Sequence, residues 1–389
     1  MSVTTPKGFR ANGIASGIKA SGAMDLSLVA TSTGQPALAV ATFTQNRSAA
    51  APVRVSKSHL LSSKNLANAV ILNSGNANAA NGEKGMKDAK DMACFVAAEL
   101  GVKEDTVLVC STGLIGIPLD TTPIRLGVRD LVTGLSSDQD GANRSAQAIM
   151  TTDTVPKMAT HMGMGFSIGS IAKGAAMIAP NMATMLSVIT TDAKLTTEFA
   201  QSALSRSVEV SFNRLVIDGC TSTNDTVILL SSGLGIEPRS SVFANALEGV
   251  CRSLADQMAL DAEGAHKLVR IRVFGALDDE HALTLAKKAA SSQLVQCSFY
   301  GSDPYWGRIA SEFGSAGVDF DLDRLSVSYG GIEVARSGIS IEFDVKALAQ
   351  IMAKREIVID CGLGLGTGSA TVTTTDLSPE YIAENMRTS

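Results

Sequence analysis

The chain has 389 residues, enough for two or three domains or one large interlocked unit, and its 45% hydrophobic, 18% charged composition argues against disorder. A net charge of −5, a pI of about 5.5 and only 4% aromatic residues leave no basic stripe and few stacking rings, which argues against a nucleic-acid partner. No run of about 18 apolar residues and no apolar leader occurs, and the six scattered cysteines form no C-x-x-C pair; the expectation is a cytoplasmic protein with reduced, mostly buried thiols, no membrane partner and no structural zinc.

In chain order, short apolar runs bounded by Gly, Ser and Asn predict strands at 26–30, 37–43, 52–55 and 69–72. The stretch 73–82, NSGNANAANG, is too rich in Asn and Gly for helix or strand and reads as a loop, either an ordinary surface turn or one shaped for a site. Apolar residues at Met86, Ala89, Met92, Ala93, Val96 and Ala97 predict a helix over 84–100, closed by Gly101. A strand at 106–110 leads into a turn at Thr112-Gly113, a helix covers 142–150, and a strand at 166–172 ends beside Lys173. Farther on come a helix at 196–207 capped by Thr196, a polar loop at 218–226, a strand at 227–230 and a long amphipathic helix at 244–260. A strand at 268–274 and a helix at 281–291 precede a lobe of strands and one helix that ends in strands at 357–360 and 370–375 and a helix near 379–385. Mixed signals with short loops predict an α/β (α+β) layered sandwich, mixed sheets flanked by helices, with a smaller C-terminal α+β lobe.

The glycines at 362, 364, 366 and 368 miss the G-x-G-x-x-G spacing, and no Walker-type loop occurs, so no nucleotide cofactor is expected. The four histidines stand alone without H-E-x-x-H, and no G-x-S-x-G or S-x-x-K occurs, so neither a metal centre nor a Ser-His-Asp hydrolase has a basis. That leaves the stretch 173–192, KGAAMIAPNMATMLSVITTD. It reads either as a Pro180-Asn181 turn feeding a buried strand, or as a nucleophile, Thr184, that becomes a chain terminus. If the bond between Ala183 and Thr184 is cut, Thr184 gains an α-amine with a reference pKa of about 8 that can take the hydroxyl proton without any histidine. Thr112-Gly113 can supply oxyanion donors, each typically worth roughly 100- to 1000-fold in rate, or can be an ordinary turn.

The motifs GIKASG, NSGNANA, CSTGLIG, MTTDT, KGAAMIAPNMATML, STNDT, DAEG, GSDPYWGR and TTDLSPEYIAEN follow one another along nearly the whole chain. In this combination the chain resembles the glutamate N-acetyltransferase / ornithine acetyltransferase family of arginine biosynthesis. The resemblance implies Thr184 as nucleophile, freed by self-cleavage after Ala183, and Thr112 and Gly113 as the oxyanion hole. It implies Thr151, Lys173, Glu263 and Asn385 as substrate contacts, with Ser389 in a tail about one residue shorter than the family pattern. Ping-pong transfer of acetyl from N-acetylornithine to glutamate without a cofactor would follow, with acetyl-CoA as an optional second donor, in an α2β2 assembly of chains 1–183 and 184–389, the latter divided into 184–280 and a lobe of 281–389. Ala176 stands where the family typically has Gly, Ala80 where Cys is common and Tyr305 where Asn is usual. An added Cβ at 176 is costly if that residue needs positive φ. Two other readings remain at this level: a self-cleaving Thr amidohydrolase of the aminopeptidase type, and a non-catalytic amino-acid-binding homologue.

Overall fold

The computed structural model describes residues 2–178 and 185–386; Ala183, Thr184, Ser389 and the Pro180-Asn181 pair lie outside the described residues. The first third of the chain forms β1 (Phe9–Ile14), β2 (Leu26–Thr31), β3 (Ala37–Phe43), α1 (Ala51–Ser62), β4 (Leu66–Ala67), β5 (Ala69–Asn76), α2 (Gly82–Leu100) and β6 (Val107–Leu114). Next come α3 (Thr122–Thr133), α4 (Gln139–Ala148), β7 (Lys157–Met162), β8 (Ser167–Lys173), β9 (Leu186–Thr191), α5 (Thr197–Glu209), β10 (Leu215–Val216), β11 (Thr226–Ser231) and α6 (Ser240–Leu260). The rest supplies β12 (Leu268–Ala276), α7 (Asp279–Ala290), α8 (Gln293–Tyr300), α9 (Gly307–Gly314), β13 (Ser326–Tyr329), β14 (Ile332–Arg336), β15 (Ile339–Ser340), α10 (Val345–Met352), β16 (Glu356–Gly362), β17 (Gly368–Thr375) and α11 (Pro379–Asn385).

Two sheets carry the main body, one ordered β1-β2-β5-β6 and the other β4-β3-β11-β9-β8-β7. Period-two alternation decides which face each residue fills. Val70 and Leu72 of β5 point between the sheets, against Leu186 and Val188 of β9 and Ile228 and Leu230 of β11. Ile71 of β5 faces the other way, onto Met92 and Val96 of α2 and Ile124 and Val128 of α3. Val227 and Leu229 of β11 turn outward onto Leu204 of α5 and Leu247, Leu254 and Met258 of α6. The body is thus a four-layer α-β-β-α sandwich. Its central strands are buried on both faces, which is why β11 reads as the unbroken apolar run Val-Ile-Leu-Leu. Burial of each such Leu, Ile or Val contributes about 1.5–3 kcal/mol. The C-terminal lobe is a seven-stranded mixed sheet, β10-β17-β12-β16-β13-β14-β15, whose core includes residues from α7, α8, α9 and α10.

The structure departs from the sequence reading in a few places, each with a local cause. Residues 52–55 are helical, because Pro52 sits in the first turn of α1, where a missing N–H costs nothing, and Ala51 and Val55 share its buried face. Helix α3 was not anticipated, although Ile124, Val128 and Leu131 recur at helical spacing behind Pro123. The 73–82 loop begins later than expected: β5 continues to Asn76, and the Asn side chains tie the remainder to backbone, with Asn73 Nδ2 donating to the Asn76 carbonyl at 2.9 Å and Asn78 Nδ2 to that of Gly85 at 2.9 Å. Thr112 and Gly113 do not form a turn but lie within β6, beside Ser74 and Gly75 of β5. The thiols are mixed: Cys110, Cys251 and Cys361 are buried, whereas Cys94, Cys220 and Cys297 are exposed. No helix among the described residues is long and apolar enough to cross a membrane.

Candidate active site

The C-terminal ends of β6 and β8 meet where the two central sheets face each other. Lys173, the last residue of β8, is 3% exposed and donates from Nζ to Thr112 Oγ1 at 3.2 Å. Burial lowers the ammonium's pKa, and Asp153 opposes that shift. Gly113 follows at φ 129; a Cβ there would stand 2.3 Å from the Gly75 carbonyl carbon, so only glycine fits this close pairing of β5 and β6. The side chain of Asn224 crosslinks the same place, donating to the carbonyls of Ser111 at 2.9 Å and Ala77 at 2.6 Å.

Asp153 is the electrostatic hub. One carboxylate oxygen accepts from Lys157 Nζ at 2.6 Å and from the Gly174 amide at 2.8 Å, and the other accepts from the Thr151 amide at 3.1 Å. Burial opposes its charge, but Lys173, Lys157 and these donors outweigh burial and hold its carboxyl down at about 2. Lys157 is fully buried and also pairs with Asp261 at 2.5 Å, and Asp261 in turn accepts from the Thr154 hydroxyl and amide. Lys19 donates to the carbonyls of Met24 at 2.9 Å and Met150 at 2.7 Å, fixing the chain immediately before Thr151.

Glu263 reaches the site through its backbone, its amide donating to the Ala175 carbonyl at 3.0 Å, while Asn385 Nδ2 donates to its carboxylate at 2.7 Å. The stretch 173–175 is therefore met directly by Thr112 and by the Glu263 backbone, and indirectly by Thr151 through Asp153 and by Asn385 through Glu263. Beside them opens a cleft of about 530 Å³, lined among others by Thr152, Asp261, Glu263, His266, Glu380 and Glu384. Four carboxylates against Arg355 and His266 make this cleft acidic. Burial and the neighbouring Glu263 raise the pKa of Glu384.

On the far side of the gap in the described chain, the Met185 amide donates to Asp225 Oδ1 at 2.9 Å. Leu186 pairs with Lys173 on one side and with Thr226 on the other, so Met185 and Asp225, the residues immediately before β9 and β11, lie one step beyond the rung that holds Lys173. Asp225 is fully buried, and burial raises its pKa well above the ordinary carboxylate range. Among the described residues 174–178 the non-glycine residue in the left-handed region is Met177, at φ 57, and not Ala176, so the extra Cβ at 176 meets no such strain. Ala80 does adopt φ 60, at an exposed position.

Asp153, Lys157, Asp225, Asp261 and Lys19 were not assigned roles from the sequence. The signal was present for most of them, since Asp153, Asp225, Asp261 and Lys19 sit inside the motifs MTTDT, STNDT, DAEG and GIKASG. What the sequence lacked was the information that two buried lysines, Lys157 and Lys173, would need them as counter-charges.

Over residues 10–388 the chain matches the ArgJ family. It is 44% identical over 387 residues to the arginine biosynthesis bifunctional protein ArgJ of Thermobifida fusca, with 99% of each chain covered. The protein of the same name from Streptomyces coelicolor is 43% identical over 386 residues, again with 99% of each chain covered. Among solved structures, an ornithine acetyltransferase complexed with ornithine from Mycobacterium tuberculosis is 41% identical, with a TM-score of 0.44, over 48% of this chain and 96% of that one. On the full-length family match and these identities, the chain belongs to the ArgJ family.

Proposed function

We propose that this protein is an acetyltransferase of arginine biosynthesis. It moves the acetyl group of N2-acetyl-L-ornithine to L-glutamate through an acetyl ester on Thr184, which self-cleavage after Ala183 frees as the first residue of a second chain. The observation that carries the reading is the linking of Lys173 and the two residues after it to Thr112 and Glu263 directly, to Thr151 through Asp153 and to Asn385 through Glu263, on top of the family match. Lys173 engages the Thr112 oxygen as a donor, which leaves the Thr112 O–H free to point at a developing oxyanion. Thr184 is bonded to Met185, and consecutive Cα atoms stand about 3.8 Å apart, so the Asp225 anchor at Met185 supports a nucleophile near that rung. The acidic cleft beside Glu263 suits the side-chain ammonium of ornithine better than a second carboxylate.

The reaction is ping-pong. The Thr184 hydroxyl attacks the acetyl carbonyl, its proton passes to the Thr184 α-amine, and ornithine leaves as the amine; glutamate then takes the acetyl group by the reverse path. We place the enzyme in the cytoplasm as two copies each of chains 1–183 and 184–389. The word bifunctional in the relatives' name supports a second activity, and we infer acetyl-CoA as the alternative donor to the same threonine. Acceptor dependence is the test: N-acetylornithine consumption rises steeply with glutamate. Consumption equal with and without glutamate, ending in acetate, contradicts transfer and favours the amidohydrolase reading. Turnover of acetyl-CoA with glutamate alone separates a bifunctional from a single-donor enzyme.

A further inference from the structure

The segment 174–178, just upstream of the proposed cut, is held at both ends and at its turn by bonds to the Gly174, Met177 and Ile178 amides and the Ala175 and Ile178 carbonyls. The Gly174 amide is bound by Asp153, the Ala175 carbonyl by the Glu263 amide, and the Ile178 carbonyl by the Ile217 amide at 2.7 Å. Met177, meanwhile, is a non-glycine residue in the left-handed region, at φ 57, a conformation that persists only when its surroundings over-determine it. Asp218 does this. Its carboxylate takes the Met177 amide at 2.5 Å on one oxygen, and the amides of Ile178 and Cys220 at 3.0 Å each on the other.

Asp218 has a second connection. The Tyr381 hydroxyl of α11 is within electrostatic reach of the same carboxylate: burial, and then the Asp218 charge, raise the tyrosine's pKa and keep it un-ionised. Burial also raises the Asp218 pKa, against the pull of its amide donors. Helix α11 sits hard against the body at this place. A Cβ on Gly264, at φ 63, would stand 2.2 Å from the Tyr381 amide, and Ser378 Oγ donates to the Gly264 carbonyl at 2.6 Å.

We propose that Asp218 is a positioning residue for self-cleavage, holding the left-handed turn at Met177 that aims the following chain, and that docked α11 supports it through Tyr381, so that the cut waits until the C-terminal helix is in place. This rests on the self-cleavage reading above. In that step Thr184 Oγ attacks the Ala183 carbonyl carbon, and the C–N bond breaks as the nitrogen takes the hydroxyl proton. One water then opens the ester, returning a hydrogen to Oγ and leaving Ala183 as a carboxylic acid. Asp218 touches neither reacting atom and acts through the Met177 and Ile178 amides.

The test is a time course of newly translated full-length chain, followed by denaturing mass analysis, with acetyl transfer measured per cut chain at the end. Asp218→Asn keeps the shape but weakens the charge-assisted acceptor, and lengthens the half-time of cleavage about tenfold or more, while turnover per cut chain stays within about twofold of the parent. Tyr381→Phe slows cleavage in the same direction by a smaller factor, and decides the matter if Asp218→Asn does not accumulate. Cleavage at the parent rate in both variants overturns the proposal, as does an equal loss of cleavage and of turnover per cut chain, which marks general damage. A parent chain that never cuts overturns the self-cleavage reading itself.

Discussion

Gly113 and Lys173 show how narrowly single residues determine this site. Gly113→Ala would drive a methyl group to 2.3 Å from backbone at φ 129, and we expect a loss of roughly 2–4 kcal/mol in denaturant unfolding, with transfer activity lost alongside. Lys173→Met keeps the stem but removes the donor to Thr112; kcat falls about 100-fold or more, and KM for N-acetylornithine rises, measured by steady-state kinetics on the cut enzyme. Asp153 predicts a pH signature. Its folded pKa, about 2, is below the ordinary 3.8, so its contribution, about 2 kcal/mol, is fully present above pH about 4 and is lost as pH falls through about 2. The stability gap between the parent and Asp153→Asn is therefore wide at pH 7 and shrinks towards pH 2, which denaturant titrations at several pH values read directly; a gap independent of pH contradicts the assignment. The motifs made Thr112, Lys173 and Glu263 legible as residues. The chain of contacts from Thr151 through Asp153 to Gly174 was not, because nothing in a linear pattern says which buried cation an aspartate will meet.

At the scale of elements, periodicity was a good guide wherever an element buries a single stripe. The residues Met86, Ala89, Met92, Ala93, Val96 and Ala97 lie on α2 as read, and Gly101 caps it at φ 67. The reading failed where β-branched residues sit in a helix, as Val53 and Val55 do in α1, because there the proline in the first turn outweighs strand preference. It failed again where a polar, glycine-bearing strand end carries the chemistry. Asn73–Asn76 and Thr112–Gly113 are paired strands whose apolar alternation has stopped. Helix α11 offers the test at this level. Gly264→Ala collides with the Tyr381 amide and undocks the helix, so limited proteolysis releases the C-terminal peptide, and KM for N-acetylornithine rises as Asn385 leaves Glu263. A protected C-terminus in that variant contradicts the role given to α11.

For the whole molecule, the layered fold explains why the site lies where it does. The strand ends of two stacked sheets, β6 and β8, bring a buried lysine to a buried threonine, and the register of β8, β9 and β11 sets Met185 and Asp225 beside them. The layered class was legible from the alternation of strand and helix signals, but the stacking of the two sheets was not, since strands buried on both faces carry no mark of which layer covers which side. The account stands on Thr184, and intact mass analysis under denaturing conditions tests it most directly. The purified protein resolves into chains 1–183 and 184–389; N-acetylornithine adds one acetyl group to the second chain, at Thr184, and glutamate removes it. A single full-length chain, or an acetyl group carried on any other residue, would contradict the account.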